Sequence, residues 1–132
     1  AGLLALGKAM ENSGTVDLIS SGFTQVASQY GRIGVVGAYF ACTMVLTSFM
    51  SNNASIVLMA PLAISTANNL GMPPEQLVMP VMFAGSMSFL TPIGYQTNMM
   101  VYGVGQYRFK DFVIFGGPLC LLCLVVSLFV FS

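Results

Sequence analysis

The first of the two longest uncharged stretches in this chain covers residues 33–74. A run of small, mostly polar residues, Ser51-Asn52-Asn53-Ala54-Ser55, interrupts it near the middle. Apolar segments at 35–46 and 56–62 flank the interruption. Each arm would form a helix of about 15 residues, or about 23 Å, whereas the hydrocarbon core of a bilayer is about 30 Å thick. The pattern favours a re-entrant helical hairpin over 33–70, and two tilted spanning helices joined by a short loop are the alternative.

The second uncharged stretch, residues 76–107, has an apolar segment up to Leu90 that is followed by Thr91-Pro92-Ile93-Gly94. Proline removes a backbone donor and clashes with the preceding helical turn, and glycine permits backbone conformations that other residues resist. We therefore predict a discontinuous transmembrane helix over 76–104, and a simple proline kink with satisfied polar groups is the alternative. Such a break frees carbonyls on one half-helix and N–H groups on the other, which can bind a cation and an anion.

Further helices are predicted on both sides of these stretches. Residues 1–30 would contain the end of one helix, closed by Asn12-Ser13-Gly14, and an amphipathic helix in the membrane interface. Residues 112–132 form an apolar segment long enough to span a bilayer. Arg108 and Lys110 precede it in a short loop, which favours the cytoplasmic side for that loop. The predicted fold class is all-α, a polytopic membrane protein with one domain over 1–132.

Composition supports a membrane protein and excludes several kinds of function. Apolar residues make up 56% of the chain, and its four basic and four acidic side chains are too few to cover a soluble surface. The net charge is zero, so we expect no binding of nucleic acid. The chain has no histidine, and no acid or thiol lies beside a plausible catalytic partner at membrane depth, so we do not expect an enzyme.

The cysteines are also explained without chemistry. Cys120 and Cys123 have the spacing of a redox or metal-binding pair, but they lie in an apolar helical segment, as does Cys42. We interpret all three as small apolar helix residues.

Two polar breaks about 40 residues apart are typical of the midplane sites of secondary transporters. The residues themselves resemble a known family. Ser51-Asn52-Asn53, followed by Thr91-Pro92-Ile93-Gly94-Tyr95-Gln96-Thr97-Asn98 and Val101-Tyr102-Gly103, is similar to the C-terminal half of the divalent anion:sodium symporters, citrate-transporter-like permeases of the ion transporter superfamily. The segment from Gly7 to Gly14 resembles the family's sequence before the second hairpin, so the resemblance covers essentially the whole chain.

The resemblance implies half of an elevator-type transporter built from two inverted repeats. This chain begins at Ala1 and would be the second repeat, a fragment that works with the N-terminal repeat of a longer parent protein. The implied function is secondary active transport of a divalent anion, either sulfate or a di- or tricarboxylate, coupled to sodium. The parent would be a multi-pass homodimer in a bacterial inner membrane, with no cofactor apart from sodium as the coupling ion.

The resemblance also carries two groups of site residues onto this chain. Sodium would be bound by the Thr47 hydroxyl, the Met50 carbonyl, Asn52 and the backbone at Gly94. The anion would contact Ser51, Asn52 and Asn53 at the hairpin tip, and Tyr95, Gln96 and Thr97 on the facing loop.

Two departures from the family pattern affect the expected substrate. Asn53 stands where dicarboxylate carriers have threonine, and Tyr95-Gln96-Thr97 replaces Thr-Pro-Pro. A large tyrosine and additional donors suit a compact tetrahedral anion better than an extended diacid, so sulfate is favoured.

The chemistry of these residue types agrees with the implied function. Hydroxyl, amide and carbonyl oxygens are hard ligands that suit sodium, and neutral donors with helix N-termini suit an oxyanion. The two uncharged stretches hold no lysine or arginine to neutralise a dianion, so cotransported cations would have to do so. The alternative function is an ion-binding membrane sensor or channel module without alternating access.

Overall fold

All regular secondary structure in the described part of the chain is helical. The structure is a computed structural model, and it describes residues 2, 5, 9 and 12–131. From residue 15 onward the helices are α1 (Thr15–Thr47), α2 (Asn52–Asn69), α3 (Glu75–Gly85), α4 (Gln96–Val104) and α5 (Phe109–Phe131). The predicted all-α class is confirmed, while the inverted-repeat architecture stays a prediction.

The N-terminal segment ends its first helix as predicted. Residues 2, 5, 9 and 12 are helical, and the Ser13 N–H donates to the Ala9 carbonyl at 2.9 Å. Gly14 then adopts the left-handed conformation, with φ 71°, that glycine tolerates. Half of the Gly7–Gly14 segment that contributes to the family resemblance, at positions 7, 8, 10 and 11, lies outside the described residues.

A kink at Gly31 divides α1 into two helical segments. Its φ of 67° and ψ of −160° are non-helical, and a residue with a Cβ rarely adopts them. Arg32 follows at an exposed position. The kink therefore lies at the predicted boundary between the interfacial helix and the first hairpin arm. For positions 16, 19, 23, 26 and 27, which were predicted to form the apolar face of the interfacial helix, the structure describes the helical backbone and not the side chains.

The second segment of α1 and helix α2 form a hairpin with a tightly packed core. The Tyr39 hydroxyl donates to the Leu62 carbonyl at 3.1 Å and lies 2.6 Å from the Thr66 Oγ1 atom, so this buried polar group of α1 is satisfied by α2. Small residues let the helix backbones approach closely. The apolar core comprises Val35, Val36, Tyr39, Met59, Leu62, Ala63, Ala67, Leu77 and Val81.

The hairpin tip is a short break over residues 48–51. Ser51 is the N-cap of α2, and its hydroxyl accepts a hydrogen bond from the Ala54 N–H at 3.3 Å. This cap draws Asn52 and Asn53 into the first turn of α2, which has 18 residues and a length of about 27 Å. The break thus overlaps the predicted polar run, residues 51–55, only at Ser51, and the predicted arm length of about 15 residues was too short for α2.

The second break is longer than predicted and begins earlier. Helix α3 ends at Gly85, and α4 begins at Gln96, so residues 86–95 are not helical. A Cβ atom at Gly85 would lie 2.5 Å from Ile56 Cγ1, so the close packing of α2 requires glycine, which also has a low helix propensity.

A break at Gly94 is therefore confirmed, but the prediction that the apolar helix continues to Leu90 was wrong. Gln96 and Thr97, expected on the unwound loop, lie in the first turn of α4 instead. The loop thus contributes Tyr95 alone from the predicted Tyr95-Gln96-Thr97 group.

Helix α5 has 23 residues and a mean hydropathy of 2.7, and only 17% of its most apolar stretch is buried. It and the segment Gln29–Thr47 are the two described helices that are long and apolar enough to cross a membrane. The Arg108 N–H donates to the Asp111 carboxylate at 2.8 Å, so the helix begins at Phe109 rather than Phe112. Ser132, the predicted end of this span, lies outside the described residues.

The cysteines are free thiols within apolar surroundings. Cys120 on α5 is buried in a cluster with Phe40, Met44 and Ala84, which joins α5 to α1 and α3. This position agrees with its interpretation as a small apolar helix residue.

Candidate functional site

Thr47, at the end of the first hairpin arm, joins both breaks. Its side chain is fully buried, and its Oγ1 atom lies 2.7 Å from the Gly85 carbonyl oxygen and 2.8 Å from Asn52 Oδ1. Gly85 is the last residue of α3, and Asn52 is the first residue of α2. One hydroxyl therefore contacts the hairpin tip and the start of the second break at the same time.

Two acceptor atoms lie next to the Thr47 hydroxyl, which has only one proton to donate. It carries a single proton, whereas both neighbouring atoms, the Gly85 carbonyl oxygen and Asn52 Oδ1, are acceptors. If the proton goes to Gly85, the Thr47 oxygen and Asn52 Oδ1 face each other with lone pairs. Either a rotated Asn52 amide, which places its N–H₂ toward Thr47, or a bound cation would satisfy this pair.

Two hydroxyls of the second break bond to the end of the first arm. Ser88 Oγ donates to the Thr47 carbonyl at 3.2 Å, and the Thr91 hydroxyl donates to the Ser48 carbonyl. Both side chains are buried. Carbonyls at the end of a helix lack intrahelical donors, so these hydroxyls satisfy groups that would be costly to leave unpaired in an apolar environment.

Gly94 allows the two backbones to touch. A Cβ atom there would lie 2.8 Å from the Thr47 carbonyl oxygen and 3.0 Å from that of Ser48, and it would also collide with Ser88 Oγ. Real Cβ atoms essentially never approach this closely, so the contact requires glycine. The Gly94 N–H donates to Thr91 Oγ1 at 3.2 Å. We call this contact region the junction, which comprises Thr47, Ser48, Asn52, Gly85, Ser88, Thr91, Gly94 and Asn98.

The predicted cation residues are only partly united by the junction. Thr47, Asn52 and Gly94 belong to it, whereas Met50 lies on the tip with 37% of its surface exposed. Asn52 is half-buried. The assignment of these four residues to sodium stays a prediction.

The predicted anion residues other than Asn52 lie at exposed positions, on the hairpin tip or where the second break leads into α4. Ser51, Asn53, Tyr95, Gln96 and Thr97 are all exposed. Tyr95 is the N-cap of α4, with extended backbone and no side-chain cap, and α2 and α4 both lack acidic residues in their first turns. The N-terminus of α2, where Ser51 caps one N–H, and that of α4, which has no side-chain cap, therefore border the junction, an arrangement that favours an anion.

Sequence reasoning missed Gly85 and Ser88 and gave no separate role to Thr91 and Asn98. The Asn98 amide donates to the carbonyls of Ser88, at 2.7 Å, and Thr91, at 3.3 Å. Thr91 and Asn98 are the first and last residues of the motif that carries the family resemblance, which is a signal for them. Ser88 lies with Ser86 in an otherwise apolar segment, where helical serines commonly bond to their own backbone, so the sequence offers little signal for it.

Several known proteins that are similar to this chain are transporters. Residues 1–132 match the protein family described as Citrate transporter. An uncharacterized transporter of Synechocystis is 45% identical over 122 residues, which cover 92% of this chain and 20% of that protein. Sodium/sulfate cotransporter 1 of Chlamydomonas reinhardtii is 28% identical over 131 residues, which cover 98% of this chain and 15% of that protein.

A third relative carries a different substrate in its name. Sodium-dependent high-affinity dicarboxylate transporter 3 of Caenorhabditis elegans is 31% identical over 84 residues, which cover 64% of this chain and 15% of that protein. The chain thus spans about a fifth, or less, of the length of these relatives. The family and these relatives are membrane transporters and not enzymes, as predicted. The resemblance inferred from the two polar breaks is confirmed, and the chain belongs to the citrate transporter family.

Proposed function

We propose that this chain is the second of two inverted repeats in a transporter that couples uptake of a divalent anion to sodium. The observation that carries the proposal is the junction, in which the buried Thr47 hydroxyl contacts both Asn52 at the hairpin tip and Gly85 at the second break. Two breaks that are 40 residues apart in the chain meet there, as a midplane binding site requires.

Sodium would bind on the hairpin side of the junction. Thr47 Oγ1 and Asn52 Oδ1 are two neutral oxygens, 2.8 Å apart, and Asn52 Oδ1 competes with the Gly85 carbonyl for the single Thr47 proton. A cation beside the two oxygens would bind lone pairs that otherwise face each other, because hard cations prefer oxygen ligands. The carbonyls of Met50 and Gly94 would complete the predicted ligand set of Thr47, Met50, Asn52 and Gly94.

The anion would bind where the N-termini of α2 and α4 open toward the exposed side. Asn53 and Thr97 offer amide and hydroxyl donors there, and neither helix has an acidic residue in its first turn. The exposure of these groups is expected if the first repeat of the parent supplies the other half of the pocket. The predicted contacts are Ser51, Asn52, Asn53, Tyr95, Gln96 and Thr97.

Coupling between sodium and the anion is expected because no basic side chain of the junction would compensate the charge of the anion. Residues 33–74 and 76–107, which build the junction, contain no lysine or arginine. A dianion held only by neutral dipoles is much costlier to transfer into a low-dielectric site than one accompanied by cations. Sodium bound at Thr47 and Asn52 would therefore raise the affinity for the anion, and the reverse would also hold.

The membrane arrangement belongs to the same proposal. The hairpin of α1 and α2 would be re-entrant, and the broken helix would move with it as one rigid unit in an elevator motion. Arg108, directly before α5, and Lys110, in its first turn, favour the cytoplasmic side for this end of the helix, which would place the outer ends of the hairpin outside. We expect the parent to be a homodimer in a bacterial inner membrane.

The decisive experiment is uptake of radiolabelled sulfate and succinate by vesicles that contain the full-length parent, with and without a sodium gradient. We expect saturable uptake that requires sodium. Ion conductance without saturation, in place of coupled uptake, would instead support a channel or sensor module and contradict the proposal.

Competition would determine the substrate class. The two relatives named above are described as sulfate and dicarboxylate transporters, so both classes occur near this chain. Tyr95 and Asn53 favour a compact tetrahedral anion, and we expect excess sulfate or thiosulfate to block uptake more strongly than succinate or citrate. Block by the carboxylates alone would show that the pocket accepts extended acids.

A further inference from the structure

Asn98 makes two hydrogen bonds that the proposed binding site does not itself explain. It lies in the first turn of α4, and its Nδ2 atom donates to the Ser88 carbonyl at 2.7 Å and to the Thr91 carbonyl at 3.3 Å. A side-chain amide carries two N–H protons, so it can make both bonds at once. Both carbonyls belong to the non-helical segment, where no helix supplies donors for them.

The residues that Asn98 holds are the same ones that bond to the hairpin. Ser88 and Thr91 direct their hydroxyls to the carbonyls of Thr47 and Ser48. Thr91 Oγ1 also accepts the Gly94 N–H at 3.2 Å. A continuous series of hydrogen bonds therefore runs from the start of α4, through the unwound segment, to the end of the first hairpin arm.

We propose that Asn98 is a positioning residue, which forms a clamp with Ser88 and Thr91 that fixes the broken helix against the hairpin tip and thereby sets the spacing of the cation ligands. This inference rests on the proposed sodium site. Thr47 takes part in the clamp through its carbonyl and in the cation site through its hydroxyl. Gly94 is likewise held through its N–H while its carbonyl is the predicted ligand.

The clamp predicts a specific kinetic signature. Its members contact backbone atoms of the junction, so their loss shifts the cation ligands and leaves the exposed anion contacts intact. The concentration of sodium that gives half-maximal uptake should therefore rise, while the anion KM at saturating sodium should stay nearly constant. A residue that touched the anion directly would produce the opposite pattern.

The test uses the full-length parent in vesicles and compares Asn98→Leu, Thr91→Val and Thr91→Ser with the wild type. Leucine and valine keep roughly the side-chain volume and remove the donors, whereas serine keeps the hydroxyl. Asn69→Leu, at an exposed position near the end of α2, is the matched control. We expect Asn98→Leu and Thr91→Val, each of which removes two hydrogen bonds of the clamp, to raise the half-saturating sodium concentration about tenfold. Thr91→Ser and Asn69→Leu should stay within about twofold of the wild type.

A second readout covers variants that transport poorly. The melting temperature of each purified protein, measured at increasing sodium, gives sodium binding without transport, and the clamp variants should need about tenfold more sodium for the same rise. Wild-type sodium dependence in Asn98→Leu and Thr91→Val, or a change in the anion KM alone, would overturn the clamp. A wild-type protein whose uptake and melting temperature both ignore sodium would overturn the sodium site itself and the clamp with it.

Discussion

The two breaks in this chain are built in different ways. The first, over residues 48–51, forms most of its hydrogen bonds locally: the Ser48 N–H donates to Val45, the Met50 N–H donates to Leu46, and Ser51 caps the following helix, while the Ser48 carbonyl accepts from the Thr91 hydroxyl of the second break. The second, over residues 86–95, depends on the hairpin, because Ser88 and Thr91 bond to the end of the first arm. A short break can be encoded locally, whereas a long unwound segment needs a partner surface.

This difference has a consequence for folding and for binding. We expect the hairpin tip to form largely from its own sequence and the second break to assemble on it. Any change that moves the tip should therefore disturb both breaks, while a change confined to the second break should leave the hairpin intact.

The largest effect is expected from Asn52→Ala in the full-length parent, which changes the tip at the residue shared by the proposed cation and anion contacts. We expect coupled uptake to fall about a hundredfold or more, because two charged ligands each lose a polar contact. Uptake of labelled sulfate and succinate, with the amount of protein in the membrane measured in parallel, checks it. Asn68→Ala, at the exposed far end of α2, is the control, and normal sodium-dependent uptake by Asn52→Ala would refute the site assignment.

Gly94→Ala tests the contact between the breaks. The new Cβ would lie 2.8 Å from the Thr47 carbonyl oxygen and 3.0 Å from that of Ser48, so the loop must move away from the hairpin. We expect a loss of about 2 kcal/mol in stability, which is typical of overpacking, measured by thermal unfolding of the purified parent.

Gly103→Ala is the matched control for that contact. Gly103 lies in α4 with no atom within 4 Å of a new Cβ, and alanine favours helix, so this change should be neutral or slightly stabilising. Equal stability of the two variants would mean that the breaks do not touch at Gly94.

The first break could be predicted from the sequence more closely than the second. The first break was predicted at residues 51–55 and lies at 48–51, a close match because small polar residues between apolar arms are a local signal and Ser51 is a good N-cap. The start of the second break was misplaced at Leu90. It is fixed at Gly85 by contacts with Ile56 and Thr47, and the bond to Thr47 joins residues 38 positions apart.

The candidate site shows the same limit. Thr47, Asn52 and Gly94 came from the family resemblance, and the structure brings them into one junction. Ser88 could not be predicted, since its role depends on a carbonyl 41 residues away in the chain. The periodicity of apolar residues indicates which face of a helix is buried, but it does not indicate which distant backbone atom a serine hydroxyl will contact.

Thr47→Val tests the link between tip and second break with a smaller effect. Valine keeps the shape and removes the hydroxyl, which leaves the Gly85 carbonyl without its donor, at a cost of about 1.5 kcal/mol. Thr47→Ser should recover most of that stability. Thermal unfolding without sodium separates this structural loss from any loss of cation binding, and an unchanged melting temperature would show that the Gly85 carbonyl needs no donor from Thr47.

The smallest effect is expected from Ser51→Ala, which removes the N-cap of α2. The loss of an N-cap costs about 1 kcal/mol, and the bond from Ala54 to Ser51 is long, at 3.3 Å, and only partly buried. Because the tip also closes through the bonds of Ser48 and Met50, the change should stay local and leave the second break in place. Ser51→Asp, which restores a cap but brings negative charge, should recover stability while weakening the proposed anion binding. Thermal unfolding and the anion KM therefore separate the two roles of this residue. A loss for Ser51→Ala as large as that for Gly94→Ala would mean that the tip, like the second break, depends on its partner.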